Sequence, residues 1–339
     1  MKVKVCTYNV EWFDHLFDNQ NQINTFLPVN AKNKRLKKQF EGLGQVFQTI
    51  DADIYGIVEA PNTTATTGNQ STIIKLNNFL QHFNLTKYEV ITGIISAGSQ
   101  ELALIFDKNK FNASHFVGGS NTKKNPPFDE IFEFDSDGDG IKEIYKFYRP
   151  PLEAKITDKQ SGKMFYLILA HTKSKGIFSA VDMVRWEKEN QRNRRKLFAE
   201  CSWIRRRVDD WLHDNRELIV MGDINDGPGM DYYEMEFGTS AVEIIMGDIF
   251  EPEKILRNYS GRPKWGPGGW EPSSTRFKDR ITESTVNAWI DHILMSPGLN
   301  YTDGSYKIWN PYSLDEAKLI KTSLLDASDH FPVTIEFTL

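Results

Sequence analysis

The residues able to do chemistry in this chain are carboxylates, carboxamides and imidazoles placed where apolar runs stop. The clearest case is Leu218-Ile219-Val220-Met221-Gly222-Asp223-Ile224-Asn225-Asp226. An apolar run of strand length ends at a glycine, then presents a carboxylate, one spacer and a carboxamide. Gly227, Pro228 and Gly229 follow, so the polar residues stand at a strand end where the chain turns. Asp223 can accept a proton or hold a water, and Asn225 can donate to an anionic oxygen. Taken alone, the stretch reads first as an Asx-rich turn after a core strand.

The same pattern recurs along the chain. Residues 1–10 read as a strand leading to Asn9 and Glu11, which lie two apart and share a face of extended chain. Ile54–Val58 is a short apolar strand closed by Glu59. Met164–Ala170 is another, and His171, Lys173 and Lys175 hang from its end. An imidazole for proton transfer beside two ammonium groups suits a phosphate. Ala288–Ser296 carries Asp291, and Ser328-Asp329-His330 precedes a closing strand over Phe331–Phe337. Singly, each corner is an ordinary solvated edge. So many polar strand ends together point to one shared rim.

The elements that must position these groups alternate in type. Leu36, Phe40, Leu43, Phe47 and Ile50 step by four and three, as does the set Ile73, Leu76, Leu80 and Phe83, so both segments read as amphipathic helices. Strands follow around Glu89–Ile95, through Glu101–Phe106 and over Tyr145–Ile156. Residues 179–213 read as one long helix with Leu197, Cys201, Ile204, Val208 and Trp211 on its inner stripe. This order predicts an α/β or α+β fold with mixed sheets. Residues 61–70 read as a Thr/Asn/Gly loop and 230–280 as irregular chain. Within the latter, Trp265–Trp270 is a rigid aromatic loop that suits substrate contact or a cap on the core. No repeat or linker divides the sequence, which reads as a single domain over 1–339.

Two further clusters stand out. Arg194 and Arg195 belong to a dense basic series, from Arg185 to Arg207, on the long helix. It reads either as a solvated face or as a surface neutralising a nucleic-acid backbone. Asp135, Asp137 and Asp139 alternate before Gly140, with Glu143 behind them, like the first half of a calcium loop. Strand-like flanks, and Lys146 in the twelfth position, count against an EF-hand. A hairpin tip and a non-helical Ca²⁺ loop over 135–143 both remain open.

Composition narrows the class. The 339 residues are 40% hydrophobic and 26% charged, ordinary for a globular protein with a sizeable core. The net charge of −5 provides no global field for a polyanion, so local patches must do so. Two cysteines, Cys6 and Cys201, make neither a disulfide framework nor a metal motif. No run approaches the roughly 18 apolar residues of a membrane span. The opening residues lack a signal-peptide core, so the expected location is cytoplasmic, or secreted if a leader has been removed.

In order, Asn9-x-Glu11, Glu59, His171, Gly222-Asp223-x-Asn225, Asp291 and Ser328-Asp329-His330 resemble the endonuclease/exonuclease/phosphatase superfamily across nearly the whole chain. The resemblance implies a deoxyribonuclease I-like, four-layer α/β sandwich: two packed mixed β-sheets flanked by helices, with the site at one rim. It implies Glu59 as the main ligand of Mg²⁺ or Mn²⁺, with Glu11 and Asp329 beside it. Asn9 and Asn225 would be the phosphate-contacting and orienting amides, and Asp223 would position or deprotonate the attacking water. His330, held by Asp291, would touch the scissile phosphate. His171 would be a second imidazole, oriented by Glu101. Independently, phosphodiester hydrolysis needs a positioned water, a cation and help for the leaving oxygen. Two histidines can supply base and acid in turn. The segment from His171 to Gly176 resembles bacterial deoxyribonuclease-type members, so DNA is the expected substrate. A phosphomonoester or a phospholipid, as in inositol phosphatases and sphingomyelinases, is the alternative. No apolar hairpin suited to membrane insertion is present.

Overall fold

Period-two burial stacks the layers. Within Met164–His171, Leu167 and Leu169 join one apolar core while Ile168 and Ala170 join another. Within Leu218–Asp223, Ile219 and Met221 face the first core, and Leu218 and Val220 the second. Each strand is therefore buried on both faces, which is why it reads as a continuous apolar run. The computed structural model describes residues 1–63, 71–96, 98–120, 124–177, 182–227, 238–259, 272–278 and 283–339. Pro228, Gly229, most of the 61–70 loop and the Trp265–Trp270 loop lie outside the described residues.

In chain order the strands begin with β1 (Lys2–Asn9), β2 (Ile54–Ala60), β3 (Tyr88–Thr92), β4 (Glu101–Asp107) and β5 (Phe111–His115). A small hairpin, β6 (Phe132–Phe134) and β7 (Glu143–Tyr145), precedes β8 (Leu152–Asp158), β9 (Met164–His171) and β10 (Leu218–Asp223). The remainder are β11 (Arg257–Asn258), β12 (Thr275–Lys278), β13 (Thr285–Ala288), β14 (Asp291–Met295), β15 (Asn300–Tyr301), β16 (Lys307–Ile308) and β17 (Val333–Thr338). Among the described residues one sheet runs β15-β17-β1-β2-β4-β3, with β16 also on β17. The other runs β11-β14-β10-β9-β8-β5. Both are mixed: β1 is parallel to β2 and antiparallel to β17, and β10 is parallel to β9 and antiparallel to β14. The sheets pack closely; a Cβ on Gly56 of β2 would stand 2.5 Å from the Met221 Cε of β10.

Helices close the outer faces. α1 (Ala31–Ile50) starts at Asn30, whose side chain accepts the Asn33 N–H, and buries Leu36, Phe40, Leu43, Phe47 and Ile50 in the first core. α2 (Ser71–His82) adds Leu76, Phe79 and Leu80. α3 (Met183–His213) lays Leu197, Cys201, Ile204, Val208 and Trp211 on the second core. The result is the four-layer α/β sandwich expected from the resemblance. No helix among the described residues is long and apolar enough to cross a membrane.

Details differ from the sequence reading. The strand expected over 145–156 is split, because Pro150 and Pro151 have no N–H for a ladder; β7 ends at Tyr145 and β8 starts at Leu152. The strand expected over 288–296 breaks at Trp289 and Ile290. The long helix starts at Met183, where Asp182 accepts the Arg185 N–H. Strand β5 was not anticipated, since its alternation of Phe, Asn, Ala, Ser and His gives little apolar signal.

Candidate active site

Three adjacent strands bring three groups into one row. Register pairs Asp223 of β10 with His171 of β9 on one side and with Asp291 of β14 on the other. Gly222 permits that row: its φ is +138°, and a Cβ there would lie 1.9 Å from the Ala170 carbonyl oxygen.

Asp223 is buried between two imidazoles. Its Oδ2 is 3.8 Å from His171 Nε2 and 3.9 Å from His330 Nε2. The same oxygen accepts from Asn9 Nδ2 at 3.1 Å, while Oδ1 accepts the Asn225 N–H at 2.9 Å. Burial and the Asp291 charge push this carboxyl well above the usual range; His330 and the two hydrogen bonds only partly offset them.

His330 is held from behind. Its Nδ1 bonds Asp291 Oδ2 at 2.8 Å, and Ser274 Oγ donates to the same oxygen at 2.7 Å. Burial opposes the imidazolium, but Asp291, Asp223 and Asp329 outweigh it and raise His330 to about 10. Ser328 accounts for its place in the Ser-Asp-His run. Its Oγ accepts the His330 N–H at 3.0 Å and donates to the Asn9 carbonyl at 2.8 Å, tying the end of the chain to β1. His171 behaves oppositely: burial, Arg149 and His330 all hold it well below the ordinary histidine range, and its Nδ1 is buried with no partner among the described residues.

The three carboxylates expected to bind metal stand nearby. Asn9 Oδ1 accepts the Glu11 N–H at 3.1 Å, and Glu59 Oε2 accepts the Trp12 N–H at 2.9 Å. Glu59 interrupts the β2–β4 ladder with φ +60°, and Glu11 has φ +50°. Non-glycine residues held there store strain, a recurrent feature of functional sites. Burial and the Asp329 charge raise the Glu11 carboxyl, and Arg35 pulls it back. Among the described residues, the triples whose ligand atoms all lie within 4.8 Å are Asp223–Asp291–His330 and Asp135–Asp137–Asp139. Glu11 feels the Asp329 charge, and the set Glu11, Glu59 and Asp329 does not converge that closely.

No protein-family model matches the sequence, and no curated protein is similar to it. Solved structures are. One is an endonuclease/exonuclease/phosphatase from Bacteroides vulgatus, 17% identical, covering 100% of this chain and 99% of that one with a TM-score of 0.52. ANGEL2, a 2′,3′-cyclic phosphatase, is 12% identical over 99% of this chain and 95% of its own, at 0.54. TDP2 from C. elegans is 12% identical over 100% and 76%, at 0.51. The chain has the endonuclease/exonuclease/phosphatase fold.

Within this endonuclease/exonuclease/phosphatase fold, several expected residues do other work. Glu101 does not orient His171: it accepts from Ser96 N at 3.0 Å and Ser96 Oγ at 2.9 Å. Asn225 Nδ2 donates to the Thr172 carbonyl at 3.0 Å and so ties the two loops together. Lys175 pairs with buried Asp226. Lys173 is half-buried beside Glu200, Lys196, Arg149 and Arg192, and burial lowers its hold on a proton. Part of the basic helix also turns inward. Arg194 is buried and bonds Asn190 Oδ1 at 3.3 Å, Arg195 pairs with Asp137 at 2.8 Å, and Arg207 pairs with Glu153 in the interior. A count of charges along the helix cannot reveal these partners.

The Asp-rich segment is the tip of the β6–β7 hairpin. Asp135 accepts the N–H groups of Gly138 and Gly140 at 2.7 and 2.9 Å, and Asp139 accepts that of Ile141 at 2.7 Å. Glu143 turns to Ser136 instead, accepting from its N and Oγ at 3.1 and 3.0 Å.

Sequence reasoning missed two residues of the rim. Ser274 is one; a serine within the irregular 230–280 stretch gives no signal. Arg149 is the other. It precedes the Pro-Pro break, bonds Gln100 Oε1, and carries its charge in the field of Glu59, Glu200 and Asp223 while burial weakens it.

Proposed function

We propose that this chain, acting as one catalytic domain over 1–339, is a divalent-metal-dependent phosphoesterase that hydrolyses phosphodiesters of DNA with a water as nucleophile. The observation that carries this reading is Asp223, buried between His171 and His330, with His330 braced by Asp291 and Ser274. A carboxyl with a raised pKa beside one neutral and one protonated imidazole has the makings of an acid–base site working near neutral pH.

The donor set fits a hard cation. Glu11, Glu59 and Asp329 offer only oxygen, are all half-buried, and include a like-charged neighbour pair that a cation would relieve. These three would hold Mg²⁺ or Mn²⁺, which when bound neutralises charge developing on the phosphate. Asn9 fixes the Asp223 carboxylate. Asp223 takes the proton of the attacking water. His330 donates from Nε2 toward a phosphate oxygen, its charge secured by Asp291. Arg149 and Lys173 add positive charge on the His171 side. Calcium at 135–143 would have to displace Arg195 from Asp137.

DNA as substrate rests on the His171–Gly176 segment together with Arg149 and Lys173; Arg194 and Arg195, engaged within the fold, lend it nothing. The test is to incubate the protein with plasmid, linear DNA, RNA, sphingomyelin and inositol phosphates, each with Mg²⁺ and with EDTA. Metal-dependent DNA cleavage is expected, with His330→Ala slower by about 10³-fold or more. Turnover of a lipid or a monoester without any nuclease activity would overturn the substrate, and no turnover of anything would overturn the reaction.

A further inference from the structure

The strand that braces the catalytic row also lines a cavity of about 270 Å³, close to the lower bound for small-ligand sites. Ser274 supports Asp291, Thr275 Oγ1 and the Arg276 N–H both donate to the Asp329 carbonyl at 2.8 Å, and Thr275 bridges His330. The cavity begins at these residues: Ser273 and Arg276 line it, with Asn287, Asn310, Tyr312 and Ser313.

Its described lining includes a cation and no carboxylate. The Arg276 guanidinium lies 4.3 Å and the Lys321 ammonium 4.5 Å from the centroid of the Tyr312 ring, which is 49% exposed. Two cations share one aromatic platform, and among the described residues neither has a carboxylate within salt-bridge distance. Every other basic group named above at this rim has such a partner or sits in a carboxylate's field: Arg35 with Glu11, Lys175 with Asp226, Arg149 with Glu59 and Asp223. A cation pair with no carboxylate partner among the described residues, at the mouth of a cavity lined by amides and hydroxyls, matches the donors that recognise phosphate. Arg276 follows Thr275, which pairs with His330, and its N–H bonds the Asp329 carbonyl, so the cavity is built on the same chain segment that holds the rim.

We propose that Arg276, Lys321 and the cavity around Tyr312 form a second phosphate subsite, which takes a phosphate of the substrate other than the one being cleaved. The proposal rests on the phosphoesterase reading for its role, but binding can be measured without catalysis. Titration calorimetry in EDTA would use the full chain and the variant carrying both R276Q and K321Q. The probes are 5′-phosphorylated thymidine dinucleotide against the same dinucleotide lacking its 5′-phosphate, and fructose 1,6-bisphosphate against fructose 6-phosphate. The wild type should favour the form with the extra phosphate by about tenfold, and the double variant should lose that preference. A loss seen with the dinucleotide assigns the subsite to a nucleic-acid phosphate. A loss seen only with the sugar assigns it to a soluble ester. Equal preference in wild type and variant overturns the subsite. Binding that behaves as expected in a protein that hydrolyses nothing would retain the subsite and remove the reaction.

Discussion

Replacing Asp291 with asparagine tests the electrostatic core of the site. The perturbation is isosteric. It removes the charge 2.8 Å from His330 Nδ1 and leaves Ser274 a possible acceptor. In the native protein burial works against the imidazolium, and Asp291 is the foremost of the groups that lift His330 from 6.5 to about 10. A histidine raised by that much stabilises the folded state by on the order of 4 kcal/mol at pH 7, most of it through the Asp291 pair. The sign follows from the direction of the shift. A raised pKa means the folded state holds the proton more tightly, so the stabilisation is complete below pH 6.5 and fades as pH climbs through about 10. Asp291→Asn should therefore unfold at lower denaturant than wild type at pH 6 and at nearly the same denaturant at pH 10.5. Its His330 ring should titrate at or below the ordinary histidine value by NMR, since burial is then less opposed. The alkaline limb of its pH–rate profile should move toward neutrality. A stability difference that does not change between pH 6 and pH 10.5, together with an unmoved His330 titration, would refute the reasoning.

Other substitutions give separable outcomes. Asp223→Asn should abolish turnover yet raise melting temperature at pH 8, because the native carboxylate there is charged against its burial and against Asp291; a lower melting temperature would count against the raised pKa. For the same reason wild-type activity should climb with pH as Asp223 deprotonates, above the usual carboxylate range, and a rate already at its plateau at pH 4 would contradict this. Glu153→Gln strands Arg207 inside the protein and should cost about 3–5 kcal/mol in denaturant unfolding, whereas Lys318→Gln, which breaks an exposed, solvent-screened pair, should leave the unfolding midpoint nearly unchanged. Gly222→Ala should fail to give soluble folded protein in expression trials, since the new Cβ has no room against Ala170.

The strand ends carrying the site were readable because buried strands are apolar runs and polar residues interrupt them abruptly. Asn9, His171, Asp223, Asp291 and His330 all lie where such runs end, and register then sets three of them abreast. Partners were not readable. Nothing local to Arg194, Arg195 or Arg207 says that Asn190, Asp137 and Glu153 meet them. Glu101 looked suited to orienting His171, but a serine five residues earlier in the chain takes both its oxygens. Likewise Ser274 acquires its role from a contact with β14 that spacing cannot foretell, and Glu59 acquires its strained backbone from a mismatch with β4.

The bond from Ser328 Oγ to the Asn9 carbonyl joins positions 319 residues apart. Beside it, among the described residues, β1 pairs with β17 and β2. During synthesis the first strand must therefore wait, one edge bare, until β17 has been made. Asp329 and His330 arrive in that same stretch, so a nascent chain that has not reached it holds Asn9, His171, Asp223 and Asp291 but lacks the ring that Asp291 braces. The row at the rim is thus completed only once two segments far apart in sequence have met, a consequence of how the chain is threaded.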